Sequence, residues 1–391
     1  GEHRDLHSFP TRRSSDLSLI IKACILANLK LYDESLNLCN KAIKLDPGEE
    51  YYICLKAEIL TKAKRYDEAA AFITDKLAKN DTLIDLHNLL GVIYYNKQDY
   101  AKSIVSYNKF LFHQPNHTEA RRWRAHSYLK LGRHDDAIGE FSVLIRKDSN
   151  DFDSYFYRGL SELRAGYNNM CVADYDKCIE LGRDNRNAYL NRALAKYNMR
   201  DYSGAIADFN AANRIDTSDF GCHYYLAEAK RMTGDYAGAL YSYIKAVEYD
   251  EGNIDARFKR AKLYTAMKNF NSAIRDFNYL IRLYPNDERL YLHRATAKLF
   301  KKDYKGLIKD CKSAAAINKK SCKLKLIKSL VKSRDRRKDN SFLDLIIGLN
   351  LGKPFIENMI VQSKISYPVA GIERKLDFLD RLLELGIAHI D

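Results

Sequence analysis

Apolar residues recur along most of this chain at helical spacing, in pairs of short stretches separated by polar turns. The stretch from Arg186 to Asp219, RNAYLNRALAKYNMRDYSGAIADFNAANRIDTSD, shows the arrangement. Ala193 stands at the eighth place, Tyr202 at the seventeenth, Ala205 at the twentieth, Phe209 at the twenty-fourth and Ala212 at the twenty-seventh. Shifting by 34 residues in either direction finds the same order again. Residues 16–321 divide into nine consecutive units of 34 with no insertion or deletion.

The register holds column by column. The eighth place reads Ala23, Ala57, Gly91, Ala125, Gly159, Ala193, Ala227, Ala261 and Ala295. The seventeenth is aromatic in seven units, His134 and Asn168 breaking it, and the twenty-fourth is apolar throughout, from Cys39 and Ile73 to Phe277 and Cys311. Close helix contact explains the pairing: a small side chain on the first helix admits a bulky one from the second. This order resembles the helix–turn–helix signature of tetratricopeptide repeats, whose period is 34. The resemblance covers about four-fifths of the chain and implies an all-α, right-handed superhelical solenoid. Departures weaken individual turns without moving the register. The closing Pro survives as Pro47, Pro115 and Pro285, and Lys76 takes a small-residue place.

Outside the repeats the chain changes character. Residues 1–16 lie within GEHRDLHSFPTRRSSDL, which resembles the in-frame translation of a sequencing adapter at every position except Glu2. They are read as a non-native segment apart from the folded body, so the true N-terminus, with any upstream repeats, signal peptide or catalytic domain, is expected to be missing. Arg12-Arg13 before Leu17–Leu29 imitates an export signal, but Leu19, Ala23 and Leu26 fall on the first repeat's own positions and Lys22 interrupts the apolar core. The window 298–338 holds 16 Lys or Arg against Asp303, Asp310 and Asp335, a net of +13 in a chain of +14. Residues 322–339 read as a basic capping helix and linker, with Lys320, Lys323, Lys325, Lys328, Lys332, Arg334, Arg336, Arg337 and Lys338 forming a basic patch. A solvated terminal cap, which solenoids need, is the bland reading; a seat for an acidic partner is the functional one. No aromatic residue interleaves Ser313 to Asn340 to stack on bases, which argues against nucleic acid. Residues 340–391 read as a helical extension packed on the ninth unit. Its FLDLIIGLNLG stretch is too short to span a bilayer. Its end, from Tyr367-Pro368 to Ile390-Asp391, looks somewhat like an ankyrin unit with the inter-helix loop squeezed out, and a single amphipathic helix through Ile372, Leu376, Leu379 and Leu383 fits it better.

Little here points to reaction chemistry. No phosphate-cradling glycine loop, nucleophile elbow or HExxH pair occurs. His113 and His117 are separated by Pro115 in a turn, so a metal site built with His126 and His134 yields to a surface-turn reading. The eight cysteines show no CxxC pair, and several stand at core places, which fits a reducing, cytoplasmic setting. No run is long and apolar enough to span a membrane. No metal, cofactor or catalytic residue is expected.

Family resemblance implies a non-enzymatic scaffold or adaptor that binds a protein segment in its concave groove. The alternative is the regulatory solenoid of a larger enzyme. In the family the fifth, ninth, twelfth and thirteenth places of each first helix tend to face the groove. Phe156, Leu190, Tyr224, Phe258 and Leu292 make an uninterrupted apolar ladder at the fifth place of units five to nine, with Tyr197, Arg231 and Lys262 around it. They are the expected groove residues; packing between repeats is the competing role. No unit carries the Lys and Asn pair with which the family's chaperone-binding subset grips a terminal carboxylate; the fourth offers Arg122 and His126.

Overall fold

The structure is a computed structural model, and it describes residues 14–182 and 186–318. The adapter-like residues 1–13, the basic patch from Lys320 to Lys338 and the extension 340–391 lie outside the described residues. Among the described residues there are eighteen α-helices and no strand. The first helices of the nine units are α1 (Ser14–Asn28), α3 (Glu50–Lys62), α5 (Ile84–Asn96), α7 (Thr118–Lys130), α9 (Phe152–Ala165), α11 (Arg186–Asn198), α13 (Phe220–Met232), α15 (Ile254–Ala266) and α17 (Glu288–Phe300). The second helices are α2 (Tyr32–Leu45), α4 (Tyr66–Lys79), α6 (Tyr100–His113), α8 (His134–Lys147), α10 (Asn168–Glu180), α12 (Tyr202–Ile215), α14 (Tyr236–Tyr249), α16 (Phe270–Leu283) and α18 (Tyr304–Ile317). Every second helix opens on an aromatic residue of the seventeenth-place column or on the His134 or Asn168 that replaces it, so that column marks the start of a helix. The backbone of Ser14–Asp16 is already helical, so α1 starts two residues ahead of the expected boundary.

Contacts divide the chain into two compact units at Gly204 and Ala205, inside α12. In the first, each helix packs on its sequence neighbours, and first helices also touch one another: α1 on α3, α3 on α5, α5 on α7 and α9 on α11. The second unit repeats the pairing of neighbours, with α13 on α14, α15 on α16 and α17 on α18.

The turn between the two helices of a unit is built the same way nine times. The fifteenth residue is left-handed in every unit: Lys30, Lys64, Gln98, Arg200, Lys268 and Lys302 at φ of 61–67°, and Gly132, Gly166 and Gly234 at 78–84°. The next N–H then reaches back five residues, as from Arg65 to the Leu60 carbonyl at 2.8 Å and from Asn269 to Tyr264 at 2.8 Å. This is the double closure of a helix end that a left-handed residue permits. Six of the nine turns lack the glycine that would adopt this conformation without strain.

The small eighth-place column is explained by what faces it. A Cβ on Gly91 would stand 2.7 Å from the Tyr107 ring, sixteen residues on, and one on Gly159 would stand 3.2 Å from Tyr175. Tyr107, Phe141, Tyr175, Phe209, Tyr243 and Phe277, all at the twenty-fourth place, are fully buried. A second pairing with the same offset lies one place earlier. Arg158 donates to both oxygens of Asp174 at 2.7 and 2.6 Å, Arg260 to Asp276 at 2.8 and 2.7 Å, and Arg294 to Asp310 at 2.9 and 2.6 Å. Arg124 meets Glu140 at 2.6 Å in the same way. The three aspartates are nearly inaccessible, so the planar two-pronged match of guanidinium to carboxylate offsets their desolvation.

Candidate functional site

The faces of the first helices form the candidate site. Over units two and three they enclose a cleft of 640 Å³. Its lining is Glu50, Tyr51, Cys54, Glu58, Thr61 and Lys62 from α3, Asp85, Asn88, Leu89 and Val92 from α5, and His117. All but the last come from first helices, at the second, fifth, ninth, twelfth and neighbouring places. His117 is the residue before α7, and its Nδ1 accepts from the Ala120 N–H at 3.1 Å, capping that helix. The lining includes three carboxylates, from Glu50, Glu58 and Asp85, and the ammonium of Lys62. Burial, then Asp85 and Glu49, push the Glu50 carboxyl above the usual carboxylate range. Its Oε1 is buried without a hydrogen-bond partner. The same face of α5 continues through Tyr95, whose ring meets Trp123 edge-on at 5.1 Å; Trp123 is 38% exposed.

The equivalent face of units seven and eight is filled by its own side chains. Tyr224 rests on Phe220 and Tyr243, and its hydroxyl donates to Asp255. Glu228, 4% exposed, accepts from Arg231 at 3.2 Å and pairs with Lys259 at 3.1 Å. Lys259 and Lys262 lie over the rings of Tyr224 and Phe258 at 5.2 and 5.8 Å. Phe258 contacts Phe277 of its own unit and His293 of the next.

The fifth-place ladder is therefore a packing column as well as a surface. Phe156 contacts Phe152, Tyr157 and Tyr175, and is half-buried, like Leu190, Tyr224 and Phe258. Tyr197 is half-buried against Tyr202. Leu292 departs from the expected groove role: at 4% exposure it belongs to the core with Ala295, Leu299, Leu307 and Cys311, so it has no surface to offer a ligand. Of the basic window, Lys298 is turned inward on Asp310 at 2.8 Å, while Lys301, Lys302, Lys305, Lys309 and Lys312 are exposed.

The histidines stand apart. His113 ends α6, His117 caps α7, and His126 is buried among Trp123, Phe141 and Tyr157. Burial, then Arg122 and Lys130, lower the His126 imidazole to about 4, which keeps it neutral at physiological pH. Among the described residues no three His, Cys, Asp or Glu side chains converge as metal ligands. Arg122 grips Asp151 at 3.3 and 3.0 Å, so it is already neutralised inside the fold. The seven described cysteines are free thiols; burial pushes Cys171 and Cys178 up to about 12, which leaves them inert. No helix among the described residues is long and apolar enough to cross a membrane.

Two features of this site were open to sequence reasoning and were missed. The Arg column at the seventh place is visible in the chain, but for Arg158, Arg260 and Arg294 the partner sixteen residues on (Asp174, Asp276, Asp310) is what gives it meaning. The cleft over units two and three was missed because its signal is small side chains, Cys54, Thr61, Asn88 and Val92, where units seven and eight carry Tyr224, Arg231, Phe258 and Lys262.

Comparison with known proteins agrees with this geometry. Models of the tetratricopeptide repeat match residues 18–49, 88–152, 124–166 and 255–287. The chain is 26% identical over 167 residues to the DnaJ protein P58IPK homolog B of Oryza sativa subsp. japonica, a match covering 38% of this chain and 36% of that protein. The chain thus spans about a third of the length of this curated relative. Among solved structures it is similar to the C-terminal part of a TPR repeat-containing protein from Cytophaga hutchinsonii, at 18% identity and a TM-score of 0.52, covering 60% of this chain and 96% of that one. A tetratricopeptide repeat protein from Parabacteroides merdae aligns at 16% identity and a TM-score of 0.46, over 63% of this chain and 97% of the other. Tetratricopeptide-repeat models thus match parts of the chain, and the described residues form a tandem array of helix pairs in the same 34-residue register.

Proposed function

We propose that the chain is a non-enzymatic scaffold that binds an extended or helical segment of a partner protein against its first helices, and that the cleft over units two and three is the principal seat. One observation carries this reading: Cys54, Glu58, Thr61, Lys62, Asn88 and Val92 line the cleft from the places that face the groove in this family, and the rest of the lining except His117 comes from the same two first helices. A concave surface with a mixed apolar and polar lining suits recognition of a peptide through a few anchors. The fold is generally an interaction scaffold, which supports the same reading. The half-buried ladder of Phe156, Leu190, Tyr224 and Phe258 then serves chiefly to hold neighbouring repeats in register.

The test is selection from a random peptide library displayed on phage, against the intact chain and a Val92→Arg variant that fills the cleft. Selected peptides should bind the wild type and lose about tenfold or more in affinity on the variant, by fluorescence anisotropy, at a temperature where circular dichroism shows the variant folded. Peptides indifferent to Val92→Arg would refute the seat.

A further inference from the structure

The second helices carry another surface, separate from the cleft and independent of what the cleft binds. The eighteenth, twenty-second, twenty-fifth and twenty-ninth places of each unit share one face of its second helix, turned toward solvent. In α2 to α14 these places hold three cations, Lys44, Arg146 and Arg214, against six carboxylates. In α16 and α18 they hold Arg275, Arg282, Lys305, Lys309 and Lys312, and no carboxylate. All five are exposed, and among the described residues none of their side chains makes an ion pair or a hydrogen bond. The two helices stand on the same side of α17, because Arg294 donates to Asn278 of α16 at 2.6 Å and to Asp310 of α18 at 2.9 and 2.6 Å. Asp310 is already neutralised by Arg294 and Lys298, so it offers the outer cations nothing. We infer that this stripe is a docking surface for an acidic segment of a partner protein, one presenting several Asp or Glu side chains.

Charge complementarity carries the assignment. Lys305, Lys309 and Lys312 recur at one-turn spacing, so like charges adjoin along α18 and weaken it slightly. Solubility alone does not call for that arrangement, since the mixed signs at the same places of α2 to α14 leave those helices equally wet. Carboxylates laid along the stripe would relieve the repulsion and accept charge-assisted hydrogen bonds from the ammonium and guanidinium groups. Asn271, Asn278 and Ala316 fill the remaining places, so this face has no aromatic ring to stack on bases and no large apolar side chain to enter a bilayer. The exposed Leu283, Tyr284 and Ile317 stand just past these places, where they line a cleft with Asp287 and Glu288, whose charge an anionic bilayer would repel.

The experiment gives the full chain three probes: a fluorescent peptide alternating Glu and Ser, a fluorescent DNA duplex, and phosphatidylserine vesicles. Anisotropy reads the first two and co-sedimentation the third. The test variant is Lys305→Glu/Lys309→Glu/Lys312→Glu. Its control, Lys44→Glu/Arg146→Glu/Arg214→Glu, makes the same change of net charge at the same places of α2, α8 and α12. The peptide should bind the wild type, weaken at high salt, and lose about tenfold or more on the test variant but less than about twofold on the control. If circular dichroism shows the test variant unfolded, Arg275→Glu/Arg282→Glu on α16 takes its place with the same expectation. Equal losses on test and control would reduce the effect to net charge and overturn the site, as would a peptide that does not bind or that ignores the stripe. Tighter binding of the duplex or the vesicles, lost on the test variant alone, would overturn the acidic-protein assignment in favour of nucleic acid or membrane. Val92→Arg should leave the acidic peptide's affinity unaltered; a loss there would place the peptide in the cleft and overturn the stripe.

Discussion

Units two and three and units seven and eight use the same places of the same fold, and end with opposite surfaces. At the fifth place of successive first helices one region has Cys54 and Asn88, the other Tyr224 and Phe258. At the ninth and twelfth places Val92 and Thr61 stand against Lys262 and Arg231. The large residues fold down onto neighbouring rings and carboxylates, and the small ones leave 640 Å³ open. A column of bulky apolar residues is thus a poor sign of a ligand site in a repeat protein, because the repeats consume it. Space appears where the side chains that would have filled it are absent.

The comparison is broken or sharpened by a graded set of variants. The largest effect should come from stripping Glu228 of its cations. Arg231→Thr with Lys259→Leu copies the cleft's residues into the filled region and leaves a carboxylate at 4% exposure unpaired. A loss of about 2–4 kcal/mol in urea unfolding is expected, below the usual cost for a fully buried pair because the two cations are 36% and 33% exposed. A loss below about 0.5 kcal/mol would show that the pairs contribute nothing and that the two regions do not differ in this respect.

A matched pair at the fifth place follows. Phe258→Ala removes a half-buried ring from Phe277 and His293 and should cost about 2–3 kcal/mol. Asn88→Ala, in the cleft, should lie within about 0.5 kcal/mol of the wild type. Equal costs at the two sites would mean that the cleft residue packs as its counterpart does.

The supply of cations also governs Glu162, which is 1% exposed and shares the single Arg158 with Asp174. Burial, then Asp174, raises its carboxyl from 4.5 to about 8. A carboxyl held protonated in the fold contributes fully below its ordinary value, and that contribution is lost as pH rises toward the folded value. Melting temperature should therefore fall relative to Glu162→Gln between pH 4.5 and 8 and level off above. His126 works in the other direction: lowered from 6.5 to about 4, it favours the fold fully above 6.5 and loses that as pH drops toward 4. A gap between wild type and Glu162→Gln that is flat with pH would show the carboxyl to be ionised in the fold.

The turns should give a gain, and the same one in both regions. Lys64→Gly and Lys268→Gly place glycine at left-handed turn residues with φ of 61° and 63° and should each stabilise by about 1 kcal/mol. Unequal gains in calorimetry would reveal strain in one turn that the shared geometry does not show.

The all-α repeat architecture and its register were legible in the chain because they depend on local spacing. Gly91 and Gly159 sit opposite Tyr107 and Tyr175 as a fixed offset of sixteen requires, and no long-range information is needed to see it. The Arg and Asp columns at the seventh and twenty-third places were equally available. What the chain alone did not yield was which face remained open. Leu292 and Phe258 occupy the same place in their repeats, yet one is sealed in the core with Leu299 and Leu307 and the other lies half-buried beside His293. A periodic sequence determines which residues share a face of a helix. Whether that face is filled or empty depends on the summed volumes and charges of two neighbouring repeats, and only their packing in three dimensions decided it.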